Sequence, residues 1–251
     1  MMVEQYIVSF KSGSSGRFIA NLIWSLITDS KYEYILSDFN STHNFTPYAT
    51  SFDLSTVPPG DRLYSNPETY KYFNFTRNPG VITLHAYPDF QVIGERFPDA
   101  KVAIVSYSNN DLLEITGNSL LKNGLENILR GGPSCNDSMF FSTVYETTFN
   151  QPYTGQDIPV DKMAEIFNKY QNRVAHEFYN SKFVNPEIPP NFADKTLVIN
   201  YRDLYSDQSG TVNKLCSFTS RTPKDSMMQL YDSYLQGRAR LVGAYMPWLD
   251  K

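Results

Sequence analysis

"SFKSGSSGRF", residues 9–18, decides how this sequence is read. It lies between the apolar run "QYIVSF" at 5–10 and a helix-like stretch that begins near Arg17. Five small residues follow one another there, Ser12, Gly13, Ser14, Ser15 and Gly16, with Lys11 before them and Arg17 after. Small residues at a strand-to-helix junction let something approach the main chain closely, and the flanking cations suit an anion. A loop entering a helix exposes backbone N–H groups, the helix dipole adds partial positive charge, and serine hydroxyls add donors. A phosphate or sulfate would fit such a cradle, while an ordinary turn with a serine N-cap would be written in the same letters. The nucleoside-triphosphate pattern G-x-x-x-x-G-K-[ST] is absent, because Gly13 and Gly16 are only three apart and Lys11 precedes both.

Outward from this loop, strands alternate with helices. "QYIVSF" reads as a short buried strand, and "RFIANLIWSLITD" sets Phe18, Leu22, Ile23 and Leu26 on one helical face. Residues 38–80 are polar, aromatic and proline-containing, which marks excursions and turns. "GVITLHAY" at 80–87 reads as a second strand, "FQVIGERFPDA" as a short helix with its stop, and "KVAIVSY" at 101–107 as a third strand. Asn110 or Asp111 can cap a helix that runs toward "RGGPSCNDS". Residues 160–179 read as helix, 186–192 as a linker, "KTLVINY" at 195–201 as a fourth strand, and two helices follow, "GTVNKLCSFT" and "PKDSMMQLYDSYLQGRARL". The helical spacing of "MMQLYDSYL" at 227–235 reads as core. Such alternation predicts an α/β fold, a parallel sheet covered by helices on both faces, with a helical C-terminal part. Ligands of these sheets bind beyond the carboxyl ends of the strands, where the opening loop lies.

Composition bounds the function. The 251 residues fit one α/β domain, 1–251, with 38–80 and 131–160 as loop insertions. An apolar content of 41% supports a packed core, and a net charge of −4 argues against a broad polyanion-binding face. No nucleic-acid partner is therefore expected. Cys135 and Cys216 are too few for a disulfide framework or a zinc site, and the acidic residues show no metal-ligand spacing. With no long apolar run, the chain reads as soluble and cytoplasmic, without a membrane partner.

"KSGSSGRF" resembles the 5′-phosphosulfate loop of sulfotransferases, whose usual form is Lys-Ser-Gly-Thr-Thr-Trp after the first strand. "ITLHAYPDF…FPDAKVAIVSYSNND" is similar to that family's strand with a catalytic histidine and the strand after it. "LVINYRDLYSD…GTVNKLCSF" is similar to its Tyr-Glu-Asp-Leu strand end and following helix. The three blocks stand in the family's order and cover roughly 80 residues. The resemblance implies a three-layer, P-loop-like sheet and the donor 3′-phosphoadenosine 5′-phosphosulfate as co-substrate, with no metal.

By that resemblance Lys11 contacts the leaving phosphate, and Ser12, Gly13, Ser14, Ser15 and Gly16 hold the 5′-phosphosulfate. Arg17 stands where the family has a bulky aromatic, either reaching a phosphate or lying on the helix surface. His85 is the general base that takes the acceptor's proton, with Asp89 in reserve. His43 and His176 lie in segments without that placement. The family's Arg-x-Pro-x-Asp after the third strand is replaced by "YSNNDLLEIT": Tyr107 stands in the arginine register and Ile115 in that of a later serine. Ser108, Asn109, Asn110 or Thr116 would then hydrogen-bond the 3′-phosphate without charge assistance. "RARLVGAY" echoes the family's last phosphate loop through Arg238, Gly243 and Tyr245. The activity implied is sulfuryl transfer to a hydroxyl or amine of a small-molecule or carbohydrate acceptor. A divergent P-loop kinase and an inactive, sulfotransferase-like interaction protein are the alternatives.

Overall fold

In a computed structural model, the structure describes residues 4–11, 14–28, 80–84, 87–111, 114–115, 150–152 and 181–245. Four strands form one sheet: β1 (Gln5–Phe10), β2 (Gly80–Leu84), β3 (Lys101–Ser106) and β4 (Thr196–Asn200). The order across it is β2-β1-β3-β4, and every neighbouring pair is parallel. The helices are α1 (Gly16–Ile27), α2 (Phe90–Arg96), α3 (Ser181–Val184), α4 (Asp203–Ser206), α5 (Gln208–Thr219) and α6 (Asp225–Tyr245). The α/β class and the helical C-terminal part are thus as the alternation predicted. The loop insertions at 38–80 (save Gly80) and 131–160 (save 150–152), and the helix at 160–179, lie outside the described residues.

Strand composition explains the layering. Tyr6, Ile7, Val8 and Phe10 are all buried, as are Val102, Ala103, Ile104 and Val105, so both faces of β1 and β3 are covered. Tyr6 meets Phe218 of α5 edge-on at 5.7 Å, and Lys101 Nζ donates to the Phe218 carbonyl at 2.6 Å. The chain moves from β1 to β2 on one side and then returns past β1 to β3. With right-handed crossovers, α1 and α2 consequently cover opposite faces. α2 starts on Asp89, whose Oδ1 accepts from the N–H groups of Gln91 and Val92, both at 3.1 Å.

Three elements differ from the reading of their letters. α1 is buried nearly all round, not on one stripe, because α5 and α6 pack over its outer side. Strand β2 is described to Leu84, and Tyr87 stands outside it, donating its hydroxyl to the Glu187 carbonyl at 2.7 Å. The expected linker at 186–192 runs into a 3₁₀ turn, Pro190–Lys195, that buries Phe192 against Phe90.

Gly16 opens α1 directly over Phe10, and a Cβ there would fall inside the Phe10 ring. Its glycine is required by packing. Gly16→Ala is expected to lower stability in urea unfolding by about 1–3 kcal/mol, the usual cost of overpacking. In a Phe10→Ala background, the same substitution should cost clearly less.

Candidate functional site

The strand order reverses between β1 and β3, so a crevice opens outside their carboxyl ends. Lys11 follows β1 at this edge, the segment Tyr107–Asp111 follows β3, and Tyr201–Arg202 follows β4. Parallel register holds the three ends level: Phe10 pairs with Val105, and Ser106 with Asn200.

The loop after β1 closes on itself. The Lys11 carbonyl accepts the Ser14 N–H at 3.0 Å and the Ser14 hydroxyl at 2.7 Å, which leaves Ser14 fully buried. The hydroxyl of Ser14 is therefore committed to the turn. Lys11 itself is half-buried, and the loss of hydration around its ammonium pulls its pKa below the ordinary lysine value of 10.5. Ser15 takes the N-cap position of α1 with φ 62° and ψ 23°, a left-handed conformation that serine adopts at a cost. An ordinary N-cap serine is extended and accepts from the first turn. Ser15 makes no such bond, and no acidic side chain stands in that turn. Its Oγ instead accepts from the Tyr234 hydroxyl of α6 at 2.9 Å.

The segment after β3 is organised by two buried carboxylates. Asp111 Oδ2 accepts from the Ser108 N–H at 2.9 Å and the Ser108 hydroxyl at 2.6 Å. Its Oδ1 accepts Arg202 Nε at 3.1 Å and Nη2 at 2.9 Å. The carboxylate is 1% exposed and the guanidinium 53%, so Arg202 presents its outer edge to solvent. Glu114 Oε1 accepts from the Tyr201 hydroxyl at 2.8 Å and from Arg238 Nε at 2.8 Å. The Arg238 guanidinium also lies 3.6 Å over the Tyr205 ring. Burial, with Tyr234 and the Glu114 charge beside it, pushes the Tyr201 phenol well up, so it stays a donor.

The residues expected at the site are thus divided. Lys11, Ser14, Ser15, Gly16 and Arg17 stand together at the carboxyl end of β1, with Ser108 and Asn109 on the neighbouring strand end. Arg238 is paired with Glu114, and the segment read as a last phosphate loop is the closing part of α6, which stays helical to Tyr245. Asp89 is occupied as the cap of α2. Tyr107, in the arginine register, is buried and stacked on Phe183 at 6.1 Å, and Ile115 is buried too. Ser12, Gly13, His85 and Thr116 lie outside the described residues. Asp111, Glu114, Arg202 and Tyr234 were not singled out as site residues by sequence. Their only local signals are the acidic positions after β3 and the i, i+4 spacing of Tyr234 and Arg238.

No protein-family model matches the chain, and no curated protein matches it. Among solved structures, a sulfotransferase from Alicyclobacillus acidocaldarius is similar at 14% identity with a TM-score of 0.32, with all of each chain covered. A likeness that slight leaves the chemistry of the site to the residues themselves. Among the described residues, no three His, Cys, Asp or Glu side chains gather as a metal site. No described helix is long and apolar enough to cross a membrane.

Among the described residues, removing Arg238 leaves the buried Glu114 carboxylate with the Tyr201 phenol as its hydrogen-bond donor. Arg238→Met is expected to cost about 3 kcal/mol in chemical unfolding, as for other broken buried pairs. Adding Glu114→Gln should recover most of that loss, which a double-mutant cycle measures.

Proposed function

We propose that the chain is a sulfotransferase that moves a sulfuryl group from 3′-phosphoadenosine 5′-phosphosulfate to a hydroxyl or amine. The observation that carries this reading is the half-buried Lys11 ammonium at the carboxyl end of β1, beside a helix start that no side-chain cap or acidic residue occupies. An anion placed there meets a weakly hydrated cation and the positive end of α1. These residues suit a phosphosulfate head group, and the order of the three sequence blocks supports the donor. In the reaction the acceptor oxygen or nitrogen forms a bond to sulfur as the bond from sulfur to the 5′-phosphate oxygen breaks. The acceptor's proton passes to His85, and Lys11 stabilises the charge that grows on the departing phosphate. The placement of His85 is supported by its sequence position, next after Leu84, which pairs with Ser9 two residues before Lys11. Positioning and charge stabilisation supply most of the rate, as in phosphoryl transfer. The acceptor is a small molecule or carbohydrate bound by the insertions at 38–80 and 131–160.

Burial of Tyr107 favours a second reading, a sulfotransferase-like protein that binds without turnover, since β3 then offers no arginine at its end. The kinase reading has no comparable support.

Calorimetric titration with adenosine 3′,5′-bisphosphate separates the three. Binding on the order of micromolar, weakened about 10- to 100-fold by Lys11→Ala, is expected for loss of a charge-assisted contact. Binding of magnesium-ATP alone would favour the kinase, and silence toward both the interaction protein. His85→Ala should leave binding within about twofold and lower turnover by about 100-fold or more.

The lowered Lys11 pKa adds a pH dependence. The anion binds the protonated ammonium, so affinity is full at neutral pH and falls as pH rises through a value below 10.5. Lys11→Arg, which stays charged, should keep affinity flat over the same range.

A further inference from the structure

We propose that Tyr234 is a positioning residue for the anion cup: its hydroxyl, bonded to Ser15 Oγ, holds Ser15 left-handed and so aims the main chain at the start of α1. This assignment rests on the anion-binding reading of the loop. Three observations carry it. Ser15 is a non-glycine residue at φ 62°, where L side chains are strained, and such a conformation persists only when its surroundings fix it. Ser15 Oγ does none of the capping work of its position, and the contact it makes instead is the 2.9 Å bond from Tyr234. Tyr234 is in turn rigid: its ring stacks on Phe18 of α1 at 3.8 Å and 7°, and burial keeps its phenol protonated and donating. Left-handed residues next to a helix start turn successive N–H groups toward a common point, the geometry of an anion-binding nest. A tyrosine 219 residues away in sequence therefore sets the direction of the donors that meet the head group.

The test is an affinity cycle for adenosine 3′,5′-bisphosphate, read by calorimetry on the full chain. Tyr234→Phe keeps the ring stack and removes only the hydroxyl, so the fold is retained while affinity falls roughly three- to tenfold. Ser15→Gly removes both the acceptor and the strain, since glycine adopts φ 62° freely. In that background Tyr234→Phe should change affinity less than about 1.5-fold, because the hydroxyl has nothing left to hold. Ser15→Ala, which keeps the strain and loses the acceptor, should bind more weakly than Ser15→Gly. An equal loss on Tyr234→Phe in both backgrounds, or no loss in either, overturns the role of Tyr234 while leaving the proposed function standing. A parent chain that does not bind the bisphosphate overturns both.

Discussion

One face of α6 holds the working edge of the sheet together. Parallel strands bring their carboxyl ends to the same side, but the segments that leave those ends diverge and must be tied by something that crosses all of them. Tyr231, Tyr234 and Arg238 lie at i, i+3 and i+7 of a single helix and therefore share a face. Tyr231 donates to the Leu204 carbonyl beyond β4 at 2.8 Å, Tyr234 to Ser15 beyond β1 at 2.9 Å, and Arg238 to Glu114 beyond β3 at 2.8 Å. Every bond has a long side chain on α6 and a partner on the segment that follows a strand: the Leu204 carbonyl, the Ser15 hydroxyl and the Glu114 carboxylate. That division matters, because the helix is stiff and the loop positions are then set by it.

Charge at this edge is arranged in pairs. Arg202 and Arg238 each face a buried carboxylate, Asp111 and Glu114, and each carboxylate also takes a hydroxyl, from Ser108 and from Tyr201. Buried carboxylates of this kind are tolerable when they are paired and hydrogen-bonded. The Arg202–Asp111 pair and the Tyr201–Glu114 hydrogen bond tie the β3 and β4 ends together, while the Arg238–Glu114 pair ties α6 to the segment after β3. At Lys11 burial disfavours the charged form and lowers the pKa below the ordinary lysine value. An anion that arrives beside a half-buried ammonium favours its charged form.

The sheet was largely legible in the sequence and the site only in part. β1 matches its reading residue for residue, and β3 and β4 match within one residue at either end, because buried parallel strands are short apolar runs between polar breaks. Met227, Leu230, Tyr231 and Tyr234 are buried as their helical spacing predicted. Lys11 and the small residues after it were visible for the same reason: they are contiguous. What stayed hidden is long-range. Tyr234 to Ser15, Arg238 to Glu114 and Arg202 to Asp111 span 219, 124 and 91 residues, and no local period encodes such partners. Hidden, too, was the cause of a visible feature. Gly16 reads as a residue that lets an anion approach, whereas the atom its missing Cβ makes room for is in the ring of Phe10.

That substitution of causes bears on how the loop works. A cradle made permissive by glycine alone would be floppy, since glycine gains access to many conformations at once. Here the Phe10 ring fills the space a side chain at Gly16 would take, Ser14 is locked on the Lys11 carbonyl, and Ser15 is held by a tyrosine. Each lock removes conformations that a ligand would otherwise have to remove on binding. The left-handed serine costs about 1–2 kcal/mol by itself. A single hydrogen bond of about 1 kcal/mol, together with the aromatic stack beneath it, offsets that cost. The strain is thus settled by folding and not by the ligand, which is the condition for donors to be in place before charge arrives.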